Sequence, residues 1–441
     1  MNKKTVTQKL SNISLVPKLR LWKAVIIILI LFSVTTQLSA QVKLLIPMEN
    51  DQKDHLKAYG IAYRRLLKNI ELDWLLNYRG GAFMFEYNKD LADECDAKGV
   101  SYELLTGTQT AQVYADVKDE KNNMDVVRLE KVAKIAVYVP PNALPWDDAV
   151  QLVLDYAEIP YDKLWDEEVL TGKLKGYDWL HLHHEDFTGQ YGKFFGTFGA
   201  SPWYLTQKAT NEAMAKKMGY SKVSRMKLDV VNKLQEYVSN GGFLFAMCSA
   251  TDTYDIAQAV KNTDICDAIY DGDPYDQNAN DKLDFSNCLA FENFKIELNP
   301  FIYEYSTIDD TGDLMYLGQQ NDFFRLVDFS AKTDPVPTML NQDHTALIRG
   351  FMGQTTGFEK KYIKKDITVL ALNEGTDYVK YIHGNYGKGT FTFYGGHDPE
   401  DYQHAVGDPP TELKNFKNSP GYRLILNNVL FPAAKKKKLK T

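Results

Sequence analysis

The sequence predicts an α/β protein: a parallel sheet with helices on both faces, preceded by an N-terminal β/α unit and interrupted by loop-rich insertions. Three observations predict it. Apolar runs of strand length, such as Lys134 to Val139, Gly242 to Met247 and Thr390 to Tyr394, alternate with stretches of helical periodicity. Two of these runs end in a chemically reactive residue, Cys248 and His397, followed by glycine or helix-capping residues. The 441 residues, 44% hydrophobic, suffice for a large core and for more than one domain.

In chain order, residues 1–40 read as a secretory signal peptide. Lys18, Arg20 and Lys23 precede the apolar run Ala24 to Val34, and Leu38-Ser39-Ala40 supplies small residues for cleavage. An exported, periplasmic or envelope-associated protein is expected, with no transmembrane span left after cleavage, because the run is shorter than a spanning helix. Removing these residues takes away six Lys+Arg and no acidic residue. It leaves 45 basic against 58 acidic side chains, a net charge of −13 that argues against a nucleic-acid partner. Residues 435–441 form a basic tail. The four cysteines are too few for a disulfide scaffold, although a Cys266–Cys288 bridge is compatible with an oxidising compartment.

Residues 41–125 read as β-α-β-α-β. Strands fall at Val42 to Pro47, Leu72 to Tyr78 and Tyr102 to Leu105, and alternation of this kind implies a parallel unit. The second strand stops at Arg79-Gly80-Gly81, where a loop can approach a ligand closely, so Arg79 is a candidate binding residue. The larger domain spans 130–434, with a strand at Lys134 to Val139, a helix from Trp146 to Tyr156 and a strand at Tyr177 to Asp186. Insertions occupy 187–224, expected over the strand ends, and 262–345. After the second insertion, Ile367 to Leu372 and Val379 to Gly384 read as paired strands. Gly387-Lys388-Gly389 turns the chain into the strand before His397, and Pro420 to Leu430 is the closing helix.

Cys248 and His397 would open onto the same carboxyl edge of a parallel sheet, where nucleophile and base could meet. Glu400, three residues on, is the candidate to orient the imidazole. Cys248 precedes a helix start, whose dipole favours a thiolate; a small buried residue at a strand end fits the same pattern. Strand alternation would point His181, His183 and Glu185 one way, as weak candidate metal ligands, with His397 or His404 as a fourth. The favoured alternative buries one face and brings only His184, Glu185 and Asp186 to the crevice as binding residues, with Asp398 across from them. The aromatic insertion at 187–204 also suits a binding surface.

The elbow at Cys248, the strand-end His397 and the nearby Glu400 resemble the class I glutamine amidotransferase-like fold. That resemblance implies a flavodoxin-like domain with Cys as nucleophile, His as base and Glu as its partner. Over nearly the whole mature chain a closer resemblance exists. Trp74-Leu75-Leu76-Asn77-Tyr78-Arg79-Gly80-Gly81, His181-Leu182-His183-His184-Glu185-Asp186-Phe187-Thr188-Gly189, Ala246-Met247-Cys248-Ser249-Ala250-Thr251-Asp252 and Tyr394-Gly395-Gly396-His397-Asp398-Pro399-Glu400-Asp401-Tyr402 look like exported Bacteroidetes proteins commonly labelled asparagine synthetase B. The synthetase reaction does not carry over. It needs an amino-terminal Cys and a Ser-Gly-Gly-x-Asp-Ser loop for ATP, and neither stands in this sequence. The expectation is therefore a Cys-dependent amidase-type hydrolase without a cofactor, acting on a small carboxamide. A non-catalytic envelope component that binds a peptide, glycan or protein partner is the alternative, and metal-dependent hydrolysis a weaker one.

Overall fold

Two sheets form, and the first departs from the sequence reading. The computed structural model describes Met1 and residues 42–309, 314–340 and 345–434; the signal-peptide pattern and the basic tail lie outside the described residues. The N-terminal unit runs β1 (Lys43–Ile46), α1 (His55–Leu67), β2 (Leu72–Leu76), β3 (Phe83–Glu86), α2 (Lys89–Lys98), β4 (Glu103–Leu105), α3 (Gly107–Lys118) and β5 (Asp125–Leu129). Its order is β4-β1-β3-β2-β5, and every pairing is antiparallel. The expected parallel unit is corrected by one short strand, β3. Asn77, Arg79, Gly80 and Gly81 all take positive φ, reverse the chain, and return β3 beside β2. The Arg79 loop is thus a hairpin turn, and the Arg79 guanidinium donates to Glu49 and Glu103.

The second sheet contains β6 (Ile135–Tyr138), β7 (Asp162–Leu164), β8 (Trp179–Leu182), β9 (Phe243–Met247), β10 (Phe323–Leu326), β11 (Leu347–Arg349), β12 (Phe358–Glu359), β13 (Thr368–Asn373), β14 (Tyr378–Tyr386) and β15 (Gly389–Tyr394). The order is β11-β10-β13-β14-β15-β9-β8-β6-β7, with β12 on β14. From β7 to β15 neighbouring strands are parallel; from β15 outward to β11 they are antiparallel. The sheet is therefore mixed rather than wholly parallel. Turns as short as the one between β14 and β15 can join only antiparallel strands.

Alternation along the strands divides the interior into two cores. Val137, Trp179, Phe245 and Tyr394 face one, with α1, α4 (Ala149–Ala157) and the closing helix α9 (Pro420–Leu430). Ala136, Leu180, Leu244, Ala246 and Phe393 face the other, with α5 (Asp166–Leu170), α7 (Val223–Ser239) and α8 (Ala250–Ala259). Helices thus cover both faces, which is why the central strands are near-continuous apolar runs. The first core also takes in Leu44, Trp74 and Phe83 of the small sheet. The aromatic insertion contributes α6 (Pro202–Lys217) and packs Tyr191, Phe194 and Tyr204 into a smaller cluster of their own. Among the described residues no helix is long and apolar enough to cross a membrane.

Candidate functional site

The parallel pairing of β9 with β15 sets Met247 opposite Tyr394, so the chain leaves both strands at the same edge. Cys248 follows its strand at once, and His397 follows after Gly395 and Gly396. The Cys248 backbone N–H donates to Gly396 O at 3.1 Å, which ties the two strand ends together. Cys248 has φ +49 at the junction between β9 and α8, a left-handed turn that a non-glycine residue rarely takes. Gly396 has φ +94, and a Cβ there would meet the Phe351 ring at 2.5 Å and Lys380 Nζ at 2.7 Å. Only glycine lets the chain cross at that point.

A segment with no recognisable signal in the sequence, Phe351 to Thr356, closes the edge. Gln354 N–H donates to Cys248 Sγ at 3.3 Å, Gly396 N–H to Thr355 O at 2.7 Å, and His397 N–H to Met352 O at 2.8 Å. Beneath it the buried Lys380 ammonium donates to Phe351 O and to Thr356 O. Burial lowers the Lys380 ammonium to about 8. Burial pushes the Cys248 thiol up to about 11, against the pull of the backbone N–H groups of Gln354, Thr355 and Ser249. The helix-dipole argument for a thiolate is outweighed by desolvation, for Cys248 is only 2% exposed.

Cys248 and His397 open onto one cavity of about 270 Å³, shared with His184 and His404 and rimmed by Trp146, Phe194 and Tyr303. The His397 ring lies 4.6 Å from that of His183 and stacks on His404 at 4.7 Å. Neither of its ring nitrogens has a hydrogen-bond partner, so Cys248 and His397 line the same cavity without being bonded to each other. Burial, reinforced by His183, His184 and His404, holds His397 well below the usual imidazole range. Glu400 is not brought to His397. Burial raises its carboxyl against the pull of Ser419, and its backbone N–H donates to Asp398 Oδ1 at 2.8 Å, which makes Asp398 a turn residue behind the site. His404 lies 2.9 Å from Asp147 and 2.8 Å from Asp401, and these carboxylates raise it to about 9.

The His181 to Asp186 stretch is arranged differently from the alternation expected of it. β8 ends at Leu182, so strand geometry stops before His183. His181 Nε2 and His183 Nδ1 lie 3.3 and 3.4 Å from Asp148 Oδ1. Burial alone would raise Asp148, but the two imidazoles hold it well below the carboxylate range. His184 turns to the cavity and joins His183 and His397 in a cluster whose ring nitrogens can lie within 4.8 Å of one another. Glu185 leaves this set: one oxygen accepts the His183 N–H at 2.7 Å, and burial, then the Asp148 charge, pushes its carboxyl up to about 8. Asp186 organises its own loop by accepting from Thr188 and Gly192. Asp148, which the sequence reading did not single out, accepts from Val150 N–H and Gln151 N–H at the start of α4 and faces the histidines as well. All four cysteines are free, with Cys266 Sγ on Thr188 O and Cys288 Sγ on Asp255 O.

No family model matches the chain, and no curated protein matches it. Among solved structures it is similar to the cytoplasmic protein STM3548 of Salmonella typhimurium, at TM-score 0.33 and 11% identity over 69% of this chain and 100% of that one. A second cytoplasmic Salmonella protein, STM1381, gives TM-score 0.31 and 12% identity over 68% of this chain and 99% of that one. Gan42B, a GH42 β-galactosidase, gives 0.25 and 11% over 61% of this chain and 28% of its own. TM-scores this low say nothing of activity or location.

Proposed function

We propose that this protein is a Cys-dependent hydrolase of the amidase type, acting on a small carboxamide or related acyl compound in the cavity at the strand ends. One observation carries the reading: Cys248 sits in a left-handed elbow between β9 and α8, facing the same cavity as His397. Enzymes hold a nucleophile in such a strained strand-to-helix turn because it exposes the attacking atom at the sheet edge. In the resting site the thiol is protonated and His397 neutral, so His397 can take the thiol proton as sulfur attacks the carbonyl carbon and pass it to the amine as the C–N bond breaks; water then releases the acyl group and returns the proton to the thiol. The backbone N–H groups of Gln354, Thr355 and Ser249, gathered around the sulfur, can turn to the developing oxyanion.

The resemblance to class I amidotransferase-like proteins and to the group labelled asparagine synthetase B supports the same assignment, and the signal-peptide pattern supports a site of action outside the cytoplasm. A second reading, a non-catalytic binding protein, is favoured by the thiol's high pKa and the missing Cys–His bond. Ammonia release from a panel of small carboxamides decides between them. The hydrolase reading expects turnover that Cys248→Ala abolishes and His397→Gln lowers about 100-fold or more. Undiminished turnover by Cys248→Ala rejects it, whereas saturable ligand binding without turnover in the native chain establishes the second.

A further inference from the structure

Three imidazoles from two chain segments meet beside the cavity: His184 and His397 line it, and the fully buried His183 lies against them. His183 and His184 follow the end of β8, and His397 follows the end of β15, with β9 between. A ring nitrogen from each can lie within 4.8 Å of the other two. A tetrahedral ion with metal–nitrogen bonds of about 2.0–2.1 Å separates its ligand nitrogens by roughly 3.3 Å, so side-chain shifts of about an ångström close the site. His183 is fully buried and His397 only 7% exposed. Yet Nε2 of His183, both ring nitrogens of His397 and Nδ1 of His184 lack a hydrogen-bond partner. Buried polar atoms are seldom left so, and each cluster of them calls for an explanation.

The surroundings match a metal site. Asp148 Oδ1 lies 3.4 Å from His183 Nδ1, which leaves Nε2 as the ligand atom; a carboxylate behind a ligating histidine is the usual means of fixing its tautomer. Asp148 is itself fixed by two N–H groups at the start of α4 and by His181. On its other side, His184 borders a second cavity of about 770 Å³, lined by Asp147, Asp148, Asp155, Glu167 and Glu168, an acidic approach for a cation. Three histidine ligands with the fourth position facing a cavity is an open coordination sphere, and imidazole suits zinc, cobalt and nickel.

The geometry points to a binding site for one divalent transition-metal ion on His183, His184 and His397, with its open position toward the 270 Å³ cavity. It has a consequence that rests on the hydrolase reading: a metal-bound His397 cannot accept the Cys248 proton, so ion binding shuts the thiol reaction off. The cluster does not include Cys248, whose sulfur accepts from Gln354 N–H instead.

The test uses the full chain, stripped with a chelator and titrated with Co(II), whose visible absorption reports tetrahedral nitrogen ligation without any catalytic assay. One equivalent is expected to bind and to be displaced by Zn(II). His184→Ala and His183→Ala should each weaken binding at least about 10-fold, and Asp148→Asn about 10- to 100-fold, while Cys248→Ala should bind as the native chain does. His184 is partly exposed, so its variant tests the site even where loss of the buried His183 prevents folding. Absence of saturable binding, binding unchanged in His184→Ala, or binding lost in Cys248→Ala overturns the site. The consequence for catalysis is read separately: carboxamide turnover should fall at least 10-fold on loading with Zn(II) and return on chelation, and turnover equal in both states overturns that consequence alone. A chain that binds Co(II) as described but never turns over a carboxamide refutes the hydrolase reading and leaves the metal site standing.

Discussion

At the scale of single residues, the behaviour of Cys248 follows from burial rather than from its place before a helix. With the thiol pushed up to about 11, only about one molecule in ten thousand carries the thiolate at pH 7. Iodoacetamide should therefore label Cys248 slowly, with a rate that climbs about tenfold per pH unit beyond pH 9 instead of levelling off near 8.5. Peptide mapping of labelled protein across that range checks it, and a plateau near 8.5 contradicts it. Lys380 gives a second prediction, with opposite sign to most buried acids. Its folded pKa, about 8, lies below the unfolded value near 10.5, so the unfolded chain binds the extra proton between those pH values and stability rises across that window. Relative to Lys380→Met, the native chain should gain up to about 3 kcal/mol from pH 8 to 10.5, measured by urea denaturation at each pH. Cys248 and His397 were readable in the sequence because each ends an apolar run. Lys380 and Gln354 were not, because their roles depend on a loop folded back over the strand ends.

At the scale of elements, turns decided what apolar runs left open. The runs at β6, β8, β9 and β15 were legible because both sheet faces are buried, while β3 was missed because the Arg79-Gly80-Gly81 break before it read as a loop rather than as a hairpin turn. That omission changed the small sheet from parallel to antiparallel. In the histidine stretch, period-two alternation extended past Leu182, where β8 stops, assigned His184 away from His183, whereas the favoured reading did bring His184 to the crevice. The turn after β15 supports a direct test. Gly396→Ala should cost about 2–4 kcal/mol in chemical denaturation, since the residue has φ +94 and its new methyl group meets Phe351 and Lys380. Gly99→Ala is the comparison: φ is +69, but nothing lies within 4 Å of the added carbon, and about 1 kcal/mol is expected. Equal costs would mean that the tight crossing beside His397 is not what demands glycine.

At the scale of the whole molecule, the closing helix α9 binds the two sheets into one structure. Arg423, fully buried, donates from Nη1 to Met48 O at 3.3 Å and from Nη2 to Gly80 O at 2.8 Å, reaching the small sheet from the end of the chain. The first core is continuous across both units. Thermal or urea unfolding should therefore show a single transition by circular dichroism and by tryptophan fluorescence. Arg423→Ala should lower its midpoint by an amount equivalent to about 3 kcal/mol or more, through the cavity and the two carbonyls left without a donor. Two separated transitions in the native chain would contradict this coupling.

By itself the sequence determined the class of fold, the central strands, the closing helix and the pairing of Cys248 with His397 at one edge, because apolar periodicity and strand-end chemistry are local patterns. Only the tertiary structure decided three other matters. The antiparallel half of the large sheet takes in β10 and β11 at its edge, beyond the strands that short turns already pair. Glu400 does not act on His397, because its backbone is held in the turn made by Asp398. The meeting of His183, His184 and His397 brings together residues more than two hundred positions apart, which no local pattern encodes and only the packing of β8, β9 and β15 could create.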